Sequence, residues 1–150
     1  MIRKAIASLA LSAVALVGIA VHEGYEGNAY QDIVGIWTIG FGTTEGVTRG
    51  QKIDPVTALQ RKLSDVQKFE GAIKQCVTVP LHQYEYDAYL SLAYNIGSGA
   101  FCRSTLVRYL NEGQYDMACR EILRWNRAGG KVVQGLANRR EKEYQQCLGR

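Results

Sequence analysis

Glu23, Asp32 and Thr38 follow one another at intervals of nine and six residues. Two carboxylates flanking a glycosidic bond are what hydrolysis of a sugar polymer requires: one protonated, to donate to the leaving oxygen, and one ionised, to activate water. A threonine hydroxyl beside the second carboxylate can hold that water. In a chain of 150 residues with nine Glu, five Asp and seven Thr, this spacing arises by chance about 0.014 times. Spacing alone is therefore a pointer, and the surroundings assign the roles. Glu23 follows an apolar run, which disfavours its charged form and suits a general acid. Asp32 lies in a polar, turn-rich segment and is expected to stay ionised as the base. Glu26 is the rival acid, with a solvated surface position as its better reading.

The elements that must carry these groups are readable. Trp37 to Gly42 alternates like a short strand, and the glycines at 24, 27, 35, 40 and 42 permit tight turns and close approach. Asp32 and Thr38 share parity, so a hairpin through Val34 and Gly35 brings both to one side. Asp54 reads as an N-cap with Pro55 at the first helical position. Val56, Leu59, Leu63, Val66, Phe69 and Ile73 then recur every three or four residues, predicting an amphipathic helix that links two lobes. Further helices are expected over 83–96, stopped by Gly97; over 105–111, capped by Ser104; over 115–126, before Gly129 and Gly130; and over 138–148. Tyr84, Tyr86, Tyr89 and Tyr94 read as core or cleft wall. The fold class is α+β and mostly helical, with a small hairpin lobe and a larger helical lobe. Two prolines, no low-complexity tract and no internal repeat argue for one domain over residues 22–150.

The segment from His22 to Gly42 resembles the bacteriophage-type lysozymes, the endolysins of glycoside hydrolase family twenty-four. The resemblance rests on Glu23-Gly24, on Asp32, and on Trp37-Thr38-Ile39-Gly40-Phe41-Gly42. It resumes in Ala93 to Phe101, Arg124-Trp125, Ala128 to Lys131 and Gly135 to Arg140, so it covers nearly everything from His22 to the C-terminus. It implies a phage-lysozyme-like fold and hydrolysis of the β-1,4 bond between N-acetylmuramic acid and N-acetylglucosamine in peptidoglycan. It also implies an inverting mechanism, with carboxyls roughly 6.5 to 9.5 Å apart and a water between them. By the same resemblance Arg139 sits near the catalytic Glu and orients it, and Asn95 hydrogen-bonds saccharide. The ordinary reading of Asn95 is a helix C-terminal Asn near Gly97. A lytic transglycosylase, using one Glu and no water-activating Asp, is the enzymatic alternative. A membrane-tethered wall-binding module with a dead site is the non-enzymatic one.

Ala5 to Val21 carries no charge, contains six Ala, two Ser and one Gly, and follows Arg3-Lys4. As a helix it spans about 25 Å against roughly 30 Å of hydrocarbon, a marginal anchor. The positive flank keeps the N-terminus cytoplasmic and exports the body. A cleaved signal peptide ending near Gly18-Ile19-Ala20 is the alternative, but it would leave Glu23 three residues from a free terminus. A core helix of a cytosolic enzyme is a third reading. The signal-anchor-release arrangement known among phage endolysins fits best, with residues 1–21 as a weak transmembrane segment. The protein is then tethered to the host inner membrane facing the periplasm, latent, and soluble in the periplasm after release. A phage holin is implied as a functional partner without contact.

Cys76, Cys102, Cys119 and Cys147 all lie in the exported portion and allow three pairings. Cys76 with Cys102 and Cys119 with Cys147 are preferred, because these join neighbouring helices over short loops. No metal is expected, since no CxxC or HxxxH spacing occurs and the two histidines, His22 and His82, are far apart. No organic cofactor is implied. Residues 103–150 hold ten Lys or Arg against five Asp or Glu, a basic end that favours anionic wall polymer or lipid headgroups, or is simply a solvated face. No nucleic-acid module accompanies it, so nucleic acid is not an expected partner. A monomer acting on peptidoglycan glycan strands is the expectation.

Overall fold

The computed structural model describes all residues from Met1 to Arg150. Its elements run α1 (Ala13–Glu23), β1 (Glu26–Gln31), β2 (Trp37–Gly40), α2 (Pro55–Cys76), α3 (Gln83–Ile96), α4 (Ser98–Cys102), α5 (Thr105–Asn111), α6 (Tyr115–Glu121), β3 (Arg127–Ala128), β4 (Lys131–Val132) and α7 (Gln134–Cys147). Seven helices and two small antiparallel sheets make this an α+β, mostly helical fold. The chain divides into two compact units, residues 13–68 and residues 1–12 with 69–150.

In the smaller unit, β1 and β2 pair antiparallel with Tyr30 opposite Thr38 and Gln31 opposite Trp37. Asp32 and Ile36 close the hairpin, with the Asp32 N–H donating to Ile36 O at 3.0 Å and Gly35, at φ 84°, taking the left-handed turn position. The hairpin through Val34 and Gly35 is thus formed as the sequence predicts. Asp54 caps α2, its Oδ1 accepting from the Val56 and Thr57 amides at 3.0 Å and its Oδ2 from the Thr57 hydroxyl at 2.6 Å. The start of α2 packs on the hairpin so tightly that a Cβ on Gly40 would stand 2.9 Å from that of Ala58. Of the periodic apolar set on α2, Val66 and Ile73 are fully buried, whereas Val56 lies at the exposed N-terminal turn.

The larger unit is organised on α3, whose residues from Glu85 to Ala93 are all buried. The Ser91 hydroxyl donates to Glu143 of α7 at 2.7 Å. Both preferred disulfides are present: Cys76 to Cys102, which ties the end of α2 to α4, and Cys119 to Cys147, which ties α6 to the end of α7. Their Cα separations, 5.6 and 5.7 Å, are those of ordinary bridges. α3 and α5 have the predicted bounds, with Ser104 accepting from the Val107 amide at the N-cap of α5.

Other expectations are corrected. The helix predicted over 115–126 is α-helical only to Glu121 and tightens into a 3-10 turn over Ile122–Arg124 before the β3–β4 hairpin, whose turn glycines, Gly129 and Gly130, have φ of 56° and 76°. The last helix starts at Gln134 rather than Asn138, because Gly135 falls in its first turn, where helical bonding demands little of it. The short α4 was not foreseen. The largest correction concerns the N-terminus, where one apolar helix was expected over 5–21. Ile6–Ser8 form a single 3-10 turn, residues 9–12 are non-helical, and α1 begins at Ala13. The non-helical part is held by long-range partners: Lys4 and Leu81 exchange two backbone bonds of 2.8 Å, and Leu9 is buried. No helix is long and apolar enough to cross a membrane.

Candidate active site

Glu23 is the last residue of α1, delivered by one short helix whose buried positions, Ala15, Ile19 and Ala20, fall on one side. Glu23 is exposed. With Gly24, Tyr25, Glu26, Tyr30 and Gly40 it lines a cavity of about 230 Å³. Tyr25 and Tyr30 are each 43% exposed. They offer flat, amphipathic rings beside a carboxyl, a surface suited to pyranose faces. Tyr25 is fixed by its hydroxyl, which donates to Ile53 O at 2.7 Å, and by Phe41 at 5.5 Å between ring centroids.

The carboxyl also lies close to the turn that follows β2. A Cβ on Gly42 would stand 3.0 Å from Glu23 Oε2 and 3.7 Å from Lys62 Nζ. Gly42 has φ 83°, so both its conformation and the approach of Glu23 require glycine. Lys62 itself is fully buried. Sequence reasoning had no means to find it, since a lysine on an amphipathic helix reads as solvated.

Asp32 sits in the hairpin turn. Its Oδ1 accepts from the backbone amides of Val34 at 3.0 Å and Ile36 at 2.9 Å, while Oδ2 makes no hydrogen bond. The turn therefore fixes the carboxylate plane and leaves one oxygen for a ligand or water. Thr38 lies two residues into the strand, 5% exposed, and its hydroxyl donates to Ile36 O at 3.1 Å. With its proton so committed, the Thr38 oxygen is left as an acceptor. One carbonyl and one amide of the same residue, Ile36, thus orient both side chains.

Glu26 is exposed and accepts from the Asn28 amide at 3.2 Å, as a surface carboxylate does, although it shares the cavity with Glu23. In the larger unit, Arg139 is buried, with Nε 3.2 Å from Glu143 Oε1 and Nη2 3.5 Å from Ser91 O. Asn95, at the exposed end of α3, accepts from Arg140 Nη1 at 2.9 Å and keeps its side-chain amide protons free. Both residues belong to one network with Glu143, whose Oε2 lies 2.7 Å from Arg140 Nε. Besides Lys62, sequence reasoning missed Tyr25 and Tyr30. The available signal was two tyrosines within seven residues of Glu23 in a glycine-rich stretch.

The arrangement offers a carboxyl in a tyrosine-lined cavity and, in the hairpin, a carboxylate oxygen and a hydroxyl oxygen that can each still accept. The profile of the family described as Phage lysozyme matches residues 20–143. The chain is 39% identical over 140 residues to the SAR-endolysin of Pseudomonas phage phiKMV, covering 91% of this chain and 87% of that one. It is 35% identical over 157 residues to the SAR-endolysin of Enterobacteria phage P21, covering 98% and 95%. Among solved structures it is similar to the endolysin from Escherichia coli O157:H7 phage FAHEc1, with a TM-score of 0.85, 38% identity and 94% of each chain covered.

Proposed function

Since this chain belongs to the phage lysozyme family and is a lysozyme of the phage endolysin type, we propose that Glu23 is its general acid and Asp32 its water-activating base. On this reading the substrate is the β-1,4 bond between N-acetylmuramic acid and N-acetylglucosamine in peptidoglycan. Glu23 protonates the glycosidic oxygen as the bond breaks, and the proton it gives stays on the leaving sugar. Water attacks the anomeric carbon from the other side, which inverts the centre.

The observation that supports this most is how hydrogen bonds are divided around Asp32 and Thr38. A water there donates one proton to Asp32 Oδ2 and the other to Thr38 Oγ1, because the first is unused and the second has already given its proton to Ile36 O. Its lone pair is then left to point at the sugar. As the C–O bond forms, Asp32 accepts the proton. Tyr25 and Tyr30 seat the glycan beside Glu23. Asn95, through its free side-chain amide, is a further saccharide contact on this reading. Arg139, tied to Glu143, acts by holding that network.

The N-terminal reading is proposed on the uncharged run of residues 5–21, its Arg3-Lys4 flank, and the SAR-endolysin names of the phiKMV and P21 relatives. The exported chain is tethered by this segment in the host inner membrane and acts in the periplasm once released. A holin acts with it without contact, and the enzyme works as a monomer.

The test is wall clearing by the purified released protein and by Glu23→Gln on chloroform-treated Gram-negative cells, with muropeptide ends identified by mass spectrometry. The parent should give reducing N-acetylmuramic acid ends, and Glu23→Gln should clear at least about 100-fold more slowly. Equal clearing by both removes Glu23 from the mechanism. Anhydro ends favour the transglycosylase, and no clearing by either favours a binding module.

A further inference from the structure

Residues 3–12 belong to the larger unit and, apart from the single 3-10 turn over Ile6–Ser8, are non-helical, and a set of polar contacts ties them to its helices. Arg3 bonds Glu85 through Nη2 at 2.8 Å and Nε at 3.1 Å, and its guanidinium lies 3.6 Å over the Tyr115 ring. The Leu11 amide donates to Glu70 Oε1 at 2.7 Å. The Ser12 amide and hydroxyl donate to the two oxygens of Asp87 at 3.2 and 2.6 Å. The Ala10 carbonyl accepts from Gln83 Nε2 at 2.8 Å, and Leu9 is buried.

The three carboxylates share a pattern. Each is buried, and each has one donor from its own unit's helical body: the His82 amide for Glu85, the Tyr86 hydroxyl for Glu70, and Gln83 Nε2 for Asp87. Residues 3–12 supply further donors to each of the three. A buried carboxylate with part of its hydrogen-bonding capacity empty is costly. The body therefore presents three half-filled acceptors spaced to match one short segment. That segment includes Arg3-Lys4, the charged flank of the apolar run, and the first half of the run itself. Arg3 cannot lie at the far face of a bilayer and also bond Glu85, so the two arrangements exclude each other.

We propose that residues 3–12 are a detachable strap and that Glu70, Glu85 and Asp87 are its receptor, a latch that holds the released chain against return to the bilayer. This rests on the tethered reading given above. The strap docks by charge-assisted bonds that only the released chain can make, so release becomes directional without any covalent step. The apolar run is moderate enough to leave the membrane, and the receptor gives it somewhere polar and specific to go.

The test uses the full released chain and its Glu85→Gln and Asp87→Asn variants, mixed with phosphatidylethanolamine and phosphatidylglycerol vesicles and separated by flotation. Hydrogen exchange is read at the Leu11 and Ser12 amides. Each variant should raise the vesicle-to-solution ratio about tenfold, the factor for one charge-assisted bond of about 1.4 kcal/mol. Asp87→Asn should also deprotect the Ser12 amide, while wall clearing per soluble molecule stays at the parent's rate. Ser12→Ala, which deletes one hydroxyl, should move the ratio the same way by less and guards against misfolding of the others. Variants that partition like the parent, with Leu11 and Ser12 still protected, overturn the latch alone. A parent that enters neither vesicles nor the membrane fraction on export overturns the tethered reading, and the latch falls with it.

Discussion

Gly42 is where the proposed acid meets the turn after β2, and its replacement separates backbone strain from a direct effect on Glu23. At φ 83° an alanine costs about 1–2 kcal/mol, and its Cβ would press on Glu23 Oε2 at 3.0 Å. Gly46 has a similar φ of 69° but open space around its Cβ position. Gly46→Ala should therefore lower stability by a comparable amount in urea unfolding and retain wall clearing. Gly42→Ala should lose clearing well beyond its loss of stability. Equal activity in the two variants would mean that Glu23 is not confined at this point.

At the scale of elements, α2 depends on its first turn. Three hydrogen bonds from Val56 and Thr57 hold the Asp54 carboxylate. The bond from the Thr57 hydroxyl is the main reason that its pKa is held below the usual 3.8. A depressed folded-state pKa contributes stability that is present above the unfolded value and lost as pH falls through the folded one. Asp54→Ala should thus melt below the parent at neutral pH, and the gap should narrow as pH falls below about 4. Thermal scans across that range check the sign; a gap that widened on acidification would remove Asp54 as the cap that matters.

The whole molecule is stapled where its helices are shortest. Cys76–Cys102 and Cys119–Cys147, with separations of 26 and 28 residues, both lie within the larger unit. α4, α5 and α6 have only five to seven residues each, too short to hold by propensity alone. Loop-closure entropy for such spacings gives about 3 kcal/mol per bridge. A Cys119→Ser, Cys147→Ser double variant should lower the urea unfolding free energy by that order, and treating the parent with dithiothreitol should do the same for both bridges. An unchanged urea midpoint after full reduction would refute the stapling role.

Local code carried far along this chain. The Asp54-Pro55 cap, Ser104, Gly97 and the Val34-Gly35 turn fixed α2, α3, α5 and the hairpin, because each of these signals acts within about four residues and needs no distant partner. The hairpin that carries Asp32 and Thr38 followed from its turn signal, and the cysteine pairing from helix order. Tertiary structure decided the rest. Apolar periodicity says that a segment will be buried or will seek lipid, but not which partner will bond its backbone. Arg3 finds Glu85 across 82 residues and Leu11 finds Glu70 across 59, and the first half of the apolar run is not α-helical. Lys62 is buried, and Arg139 turns to Glu143, for the same reason. A charged side chain's partner is set by what the folded chain brings within about 3 Å of it, a distance that has no counterpart along the sequence.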